Sequence, residues 1–341
     1  MQTIFLRIFI VFLLSFLLLS LQSCGQKNIP SAPVALIKGA DISWITEMES
    51  NGKKFYSTAG TERDPVLLMK DLGMTAIRLR VWVNPMDGWN GLSDVIQKAL
   101  RVKQAGLKLL VDFHYSDSWA DPGKQTPPAA WASLNISAMT DSVRTHTTRV
   151  LNALLLRGVT PDWVQIGNET NDGMLWPLGK ASTQMANYAS FFKAGYEAVK
   201  QVDSNIKVMV HLSNGFDNNL FRWNLDGLRQ HGASWDIIGL SLYPSATNWA
   251  GKVLQCKDNM VDLIARYQTP VMICEVGMPW DQPDAAYSFI KELQAQLMAL
   301  PSQKGLGIFY WEPQCYGGWK GYTLGAFDNA GKPTRAMAAF Q

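Results

Sequence analysis

Two glutamates carry the strongest chemical signal in this 341-residue chain. Glu169 closes Asp162-Trp163-Val164-Gln165-Ile166-Gly167-Asn168-Glu169, in which a short β-prone run is followed at once by an amide and a carboxylate. Glu275 closes a second short apolar run, Pro270-Val271-Met272-Ile273-Cys274-Glu275. Two carboxyls at strand ends can divide the cleavage of a glycosidic bond. One, protonated, gives its proton to the leaving oxygen; the other, ionised, attacks the anomeric carbon or activates water. The acid needs a site that stabilises its charge poorly. The nucleophile needs a nearby cation, and Arg78 is the candidate. Other chemistries fit less well. No cysteine or histidine spacing resembles a zinc site. A metal-dependent hydrolase using His114 and His211 would want paired histidines on the first strand, and Asp41-Ile42-Ser43 offers none. A glycan-binding protein without catalysis would be expected to have lost one of the two carboxylates.

These residues need a scaffold that brings distant strand ends together. Short apolar runs alternate with amphipathic segments along the whole chain. Strands are expected over residues 36–43, 75–81, 107–113, 162–166, 206–212, 235–242, 270–275 and 306–311. Helices are expected over 63–72, 93–105 with Ser93 as cap, 140–157, 186–202, 219–230, 252–267, 283–300 and 334–340. Strict alternation implies a parallel sheet. Eight units in about 300 residues favour a closed single-domain (β/α)8 barrel. Its C-terminal rim would collect Asp41, Arg78 with Arg80, His114, Asn168 with Glu169, His211, Tyr243, Glu275 and Trp311 with Glu312. Packing does not explain polar and aromatic residues at the same end of nearly every strand, because a barrel's middle layers are usually apolar.

The N-terminus reads differently. Arg7 precedes a nearly unbroken apolar run from Ile8 to Leu21, short of the roughly 20 residues of a membrane span and suited to a secretory signal. Leu21-Gln22-Ser23-Cys24 resembles a bacterial lipobox, implying a signal over 1–23 and lipidation of Cys24. Ordinary cleavage that leaves Cys24 a spare thiol is the alternative. Residues 24–35 read as a tether, and 36–341 as the barrel. The expectation is an exported protein, lipid-anchored to the outer membrane on its cell-surface or periplasmic face. Cys256, Cys274 and Cys315 make an odd set; one bridge stays open, and buried free thiols are expected. A net charge of +3 that includes Arg7 shows no basic stripe for nucleic acid. The chain has 13 tryptophans, several of them (Trp89, Trp119, Trp176, Trp319) in polar, glycine-rich stretches where they suit a flat ligand such as a sugar. For any one of them, packing under a loop is the alternative.

Longer motifs narrow the reading. Gly39-Ala40-Asp41-Ile42-Ser43, the stretches Ile77 to Pro85 and Asp112 to Pro122, Leu175-Trp176-Pro177-Leu178-Gly179 and Tyr310-Trp311-Glu312-Pro313 resemble glycoside hydrolase family 53, the endo-β-1,4-galactanases. The resemblance runs from about Gly39 to the C-terminus. It implies hydrolysis of pectic galactan (type I arabinogalactan) with retention, Glu169 as acid/base and Glu275 as nucleophile. It further implies that Asn168 binds the sugar 2-hydroxyl, that Tyr243 and Arg78 hold the nucleophile, and that His114 and Trp311 line the reacting subsite. Asp41, Trp82, Asp117, Trp119, Asp121 and Trp176 would shape the cleft. The chain departs from the pattern at Trp44, where a second serine is usual. It departs again after Glu275, where Trp280 leads almost directly into a helix. Bacterial members can hold calcium in a long loop there, so neither calcium nor any other cofactor is expected. A monomer acting on galactan is expected.

Overall fold

The structure, a computed structural model, describes residues 35–341. The expected signal, Cys24 and nearly all of the tether lie outside the described residues.

Eight parallel strands close into a barrel in sequence order. They are β1 Ile37–Asp41, β2 Ala76–Val81, β3 Lys108–Phe113, β4 Trp163–Ile166, β5 Lys207–Leu212, β6 Ile237–Leu242, β7 Val271–Val276 and β8 Gly305–Trp311. The ring closes where β8 pairs with β1, Trp311 opposite Asp41. The outer helices are α1 Ile45–Ser50, α2 Pro65–Asp71, α3 Leu92–Gln104, α4 Ile136–Leu156, α5 Ala181–Val202, α6 Asn218–Gln230, α7 Trp249–Tyr267 and α8 Pro283–Met298. This is the expected (β/α)8 barrel.

Local chemistry corrects several boundaries. Ser93 does not cap α3; Gly91 occupies that position. Asp94 instead accepts from Asn90 N–H, and the buried Lys98 ammonium ties Asp94, Asn90 and the Ser43 carbonyl together. α4 starts earlier than expected because Asn135 accepts from Ala138 N–H and caps it. The C-terminal segment is a 3-10 helix, Arg335–Phe340, rather than an α-helix. The short helix α1 had no counterpart in the sequence reading.

Alternation along the strands feeds two cores. Outward residues such as Ile77, Leu79, Val111 and Val164 pack under the helices. Inward residues fill the lower barrel with Ala76, Leu110, Trp163, Met209, Ile237, Met272, Cys274 and Phe309. Gly39 is needed there, because a Cβ would sit 2.3 Å from the Phe309 ring. Above this plug the interior turns polar. Arg78 sits mid-strand in β2 rather than at its end, opposite Asp41 and Leu110. The expectation of an apolar middle layer fails here, since the fully buried Asp41, Asp112, Gln165 and His211 share the interior with Arg78. Cys256, Cys274 and Cys315 are buried free thiols.

Candidate active site

Arg78 is the hub of the polar layer. Its Nη1 lies 2.9 Å from Asp41 Oδ2 and 2.9 Å from Glu275 Oε1. Its Nη2 donates to Asp112 Oδ2 at 2.8 Å, Asn168 Oδ1 at 2.9 Å and Gln165 Oε1 at 3.2 Å. Burial opposes ionisation of Asp112, but Arg78, then His114, hold its carboxyl below the usual range. Three buried carboxylates around one guanidinium would repel one another without it.

Glu275 reaches this hub through an irregularity. Leu240 pairs with Ile273, but the next residue, Ser241, pairs with Glu275, so Cys274 is an extra residue in β7. A bulge of this kind re-aims the side chains beyond it. Cys274 joins the interior plug, and Glu275, next in sequence, also faces inward. Its Oε2 accepts from Tyr243 O–H at 2.8 Å. Burial raises the Glu275 pKa to about 7, with Arg78 and the Tyr243 hydrogen bond opposing the rise.

Glu169 approaches from β4. Gly167 at φ +77° and Glu169 at φ +45° turn the chain sharply after the strand. A left-handed non-glycine residue costs of order 1–3 kcal/mol and persists only where its surroundings hold it. Glu169 N–H donates to His211 Nδ1 at 3.3 Å. The same His211 Nδ1 lies 3.1 Å from Asn168 Oδ1, and its Nε2 lies 2.9 Å from Ser241 Oγ, so the ring ties the strand-end turn to β6. The Ser241 hydroxyl also favours the ionised form of the Glu169 carboxyl. Burial, then the Glu275 charge, push Glu169 up to about 8, and no cation among the described residues contacts it directly. The two carboxyls are therefore unequal, with Glu169 the more readily protonated.

Both open into one cavity of about 260 Å³ at the C-terminal rim, with His114, Trp119, Asp121, Asn168, Tyr243 and Trp311 in its wall. This is near the small end of ligand pockets, roughly 300–1,000 Å³. His114 is fixed in one tautomer. Its Nδ1 accepts from Trp82 Nε1 and Ala120 N, each at 3.2 Å, and its Nε2 donates to Asp112 at 3.0 Å. Trp311 and Trp119 present ring surface to the same cavity.

The family model for glycosyl hydrolase family 53 matches residues 37–340. The chain belongs to family 53. It is 36% identical to an uncharacterised protein of Niallia circulans over 88% of this chain and 89% of that one. It is 33% identical to an arabinogalactan endo-β-1,4-galactanase of Humicola insolens, over 81% and 89% respectively. Among solved structures it superposes on a fungal β-1,4-galactanase with a TM-score of 0.83 and 30% identity, covering 90% of this chain and 99% of the other.

Within this family 53 barrel the residues named from sequence separate into two groups. Glu169, Glu275, Asn168, His114, Tyr243, Trp119, Asp121 and Trp311 line the cavity, and Arg78 lies directly behind it. The other four do not form its wall. Asp41 is wholly buried, because its charge is used on Arg78 and on the Ser43 hydroxyl. Trp82 stands behind His114. Asp117 braces two loops, accepting from Asn84 N–H and Ala129 N–H at 2.9 Å each. Trp176 donates to the Asp172 carbonyl at 2.8 Å, with Lys180 over its ring. The sequence reading missed Ser241, Gln165 and Asp112 as parts of the site. A charged residue inside the apolar run Leu109 to Phe113 was the available signal for Asp112; Ser241 had none.

Proposed function

We propose that this chain hydrolyses β-1,4-galactan, the pectic side chain, by internal cleavage with retention at the anomeric carbon. The reading rests on one observation above the others: a half-buried carboxyl in the turn after β4 and a buried one on β7 share a cavity in unequal electrostatic surroundings, on a family 53 barrel. Glu169, protonated, gives its proton to the leaving glycosidic oxygen. Glu275, oriented by Arg78 and Tyr243, attacks the anomeric carbon and forms a glycosyl-enzyme. Glu169 then takes a proton from water, which releases the sugar and restores both groups. Asn168, whose amide oxygen is fixed by Arg78, presents an N–H to the sugar 2-hydroxyl. Trp311 carries the flat face of the reacting ring. The deciding experiment is digestion of linear galactan with the anomer of the first product followed by NMR. Reducing ends released as the β-anomer support the reading; no release from galactan, with release from another β-glycan, overturns the substrate.

The leader supports a second part of the proposal, that Cys24 is lipidated and anchors the exported enzyme to the outer membrane. Several acyl chains make such attachment stable, where one does not. Fractionation of cells expressing Cys24→Ala decides it. The variant moves to the soluble fraction, and continued membrane attachment overturns the anchor. We further propose a monomer that works without calcium, since the chain after Glu275 enters α8 by Pro283.

A further inference from the structure

The structure assigns Arg80 a role as positioning residue for the tryptophan wall of the active site, an inference that rests on the reading that Trp119 and Trp311 carry the sugar. Arg80 is buried on β2 two residues beyond Arg78 and does not line the cavity. Its guanidinium carbon lies 4.4 Å from the ring centroid of Trp119, 5.0 Å from Trp44, 5.6 Å from Trp82 and 6.0 Å from Trp311. The indoles also meet one another edge-on or tilted, at 5.2 Å for Trp82 with Trp119, 5.3 Å for Trp44 with Trp311 and 5.8 Å for Trp119 with Trp311.

Hydrogen bonding points the same way. Arg80 Nη1 pairs with Glu312, which also accepts from Trp44 N–H and Gln314. Arg80 Nε and Nη2 are buried and have no hydrogen-bond acceptor among the described residues. A buried donor without an acceptor is costly. Here the ring faces supply the negative potential that an oxygen would otherwise give. A planar guanidinium can serve several faces at once, which a compact ammonium cannot. Glu312 thus fixes the cation from one side, and the cation fixes four indoles from the other. Two of those indoles, Trp119 and Trp311, face the substrate. Their tilt sets the height of the sugar ring relative to Glu275, and small misplacements of a reacting centre are expensive in rate.

The test compares Arg80→Lys, Arg80→Met and the double variant Arg80→Met with Glu312→Gln. The double variant removes the Arg80–Glu312 pair without stranding Glu312, and Asp41, 3.7 Å from Arg80, keeps its closer partner Arg78. Near-UV circular dichroism of the free protein reports the coupled indoles and needs no substrate. Steady-state kinetics on linear galacto-oligosaccharides report the site. We expect the double variant to keep its barrel by far-UV dichroism, to lose the indole couplet, and to lose at least about tenfold in kcat with a smaller change in KM. Arg80→Lys keeps the charge and loses the stacking, so its spectrum and kcat should fall between wild type and the double variant. A double variant with the wild-type near-UV spectrum and kcat overturns the assignment. If the double variant does not fold, a wild-type spectrum and kcat in Arg80→Lys overturns it equally. Wild-type protein inactive on galactan would sink the substrate reading instead, and the near-UV change would still decide whether Arg80 holds the wall.

Discussion

Arg78 Nη1 and Glu275 Oε1 lie 2.9 Å apart, with side chains only 1% and 7% exposed. One cation therefore governs the charge of the proposed nucleophile. Replacing Arg78 with Met leaves Glu275 with burial and without its largest opposing influence. Its pKa rises further, so the acid limb of the kcat/KM profile moves to higher pH. The variant also strands Asp41 and Asp112, and breaking a buried network in this way costs roughly 3–5 kcal/mol of stability. A pH–rate profile and a thermal melt on the same preparation check both effects.

The two glutamates should respond differently to the leaving group. Glu169→Gln removes proton donation, which contributes about 10²–10⁴ in rate. On galactan the loss should lie in or above that range. On an aryl galactoside whose phenol leaves as a stable anion, bond cleavage needs no proton, and the first step should be nearly restored. Glu275→Gln should be inactive on both substrates. Burst kinetics with the aryl substrate separate the two variants.

Glu169 also links activity and stability to pH. Its folded pKa of about 8 lies above the ordinary 4.5, so the folded state holds a proton that the unfolded state has lost between those values. Stability from this group is fully present below about 4.5 and falls as pH rises toward 8. Glu169→Gln cannot titrate. The melting temperature of the variant minus that of wild type should therefore grow from pH 5 to pH 8. A flat difference would show that the folded protein does not raise the Glu169 pKa.

His146 gives the opposite slope. It is buried on α4 among Phe113, Tyr115 and Trp131, and neither ring nitrogen has a partner among the described residues. Burial, then Arg149, lower its pKa from 6.5 to about 3. The unfolded state takes up a proton that the folded state refuses, so stability is present above 6.5 and is lost as pH falls toward 3. His146→Phe should flatten that acid flank in a series of urea titrations. At neutral pH the variant should be as stable as wild type or more so.

The barrel was legible because its signal is redundant. Eight apolar runs with eight helical partners leave few architectures, and errors at single boundaries do not change the count. Glu169 and Glu275 were legible as carboxyls ending such runs. The geometry that aims them was not. Strict alternation cannot place both Cys274 and Glu275 inside the barrel; the extra residue opposite Leu240 and Ser241 does so. Nothing in Val271-Met272-Ile273-Cys274-Glu275 announces a bulge, which shows only in the register against the neighbouring strands. Arg80 was visible as a charged residue on a strand with Trp82 close by in sequence, but Trp44, Trp119 and Trp311 come from separate segments that only the fold brings to it. Asp41 misled for a related reason: a strand-end carboxylate looks like a cleft wall until its partners are known.

The reach of Arg78 has a consequence for how activity is acquired. From β2 its guanidinium touches groups carried by β1, β3, β4, β7 and the turn after β4. No half of the ring contains that set. A partly assembled barrel holds neither a neutralised Arg78 nor an oriented Glu275, so catalysis is a property of the closed ring and of no fragment of it. During refolding, turnover should return with the last strand pairing and not with the first helices, which makes the enzyme its own reporter of topological closure.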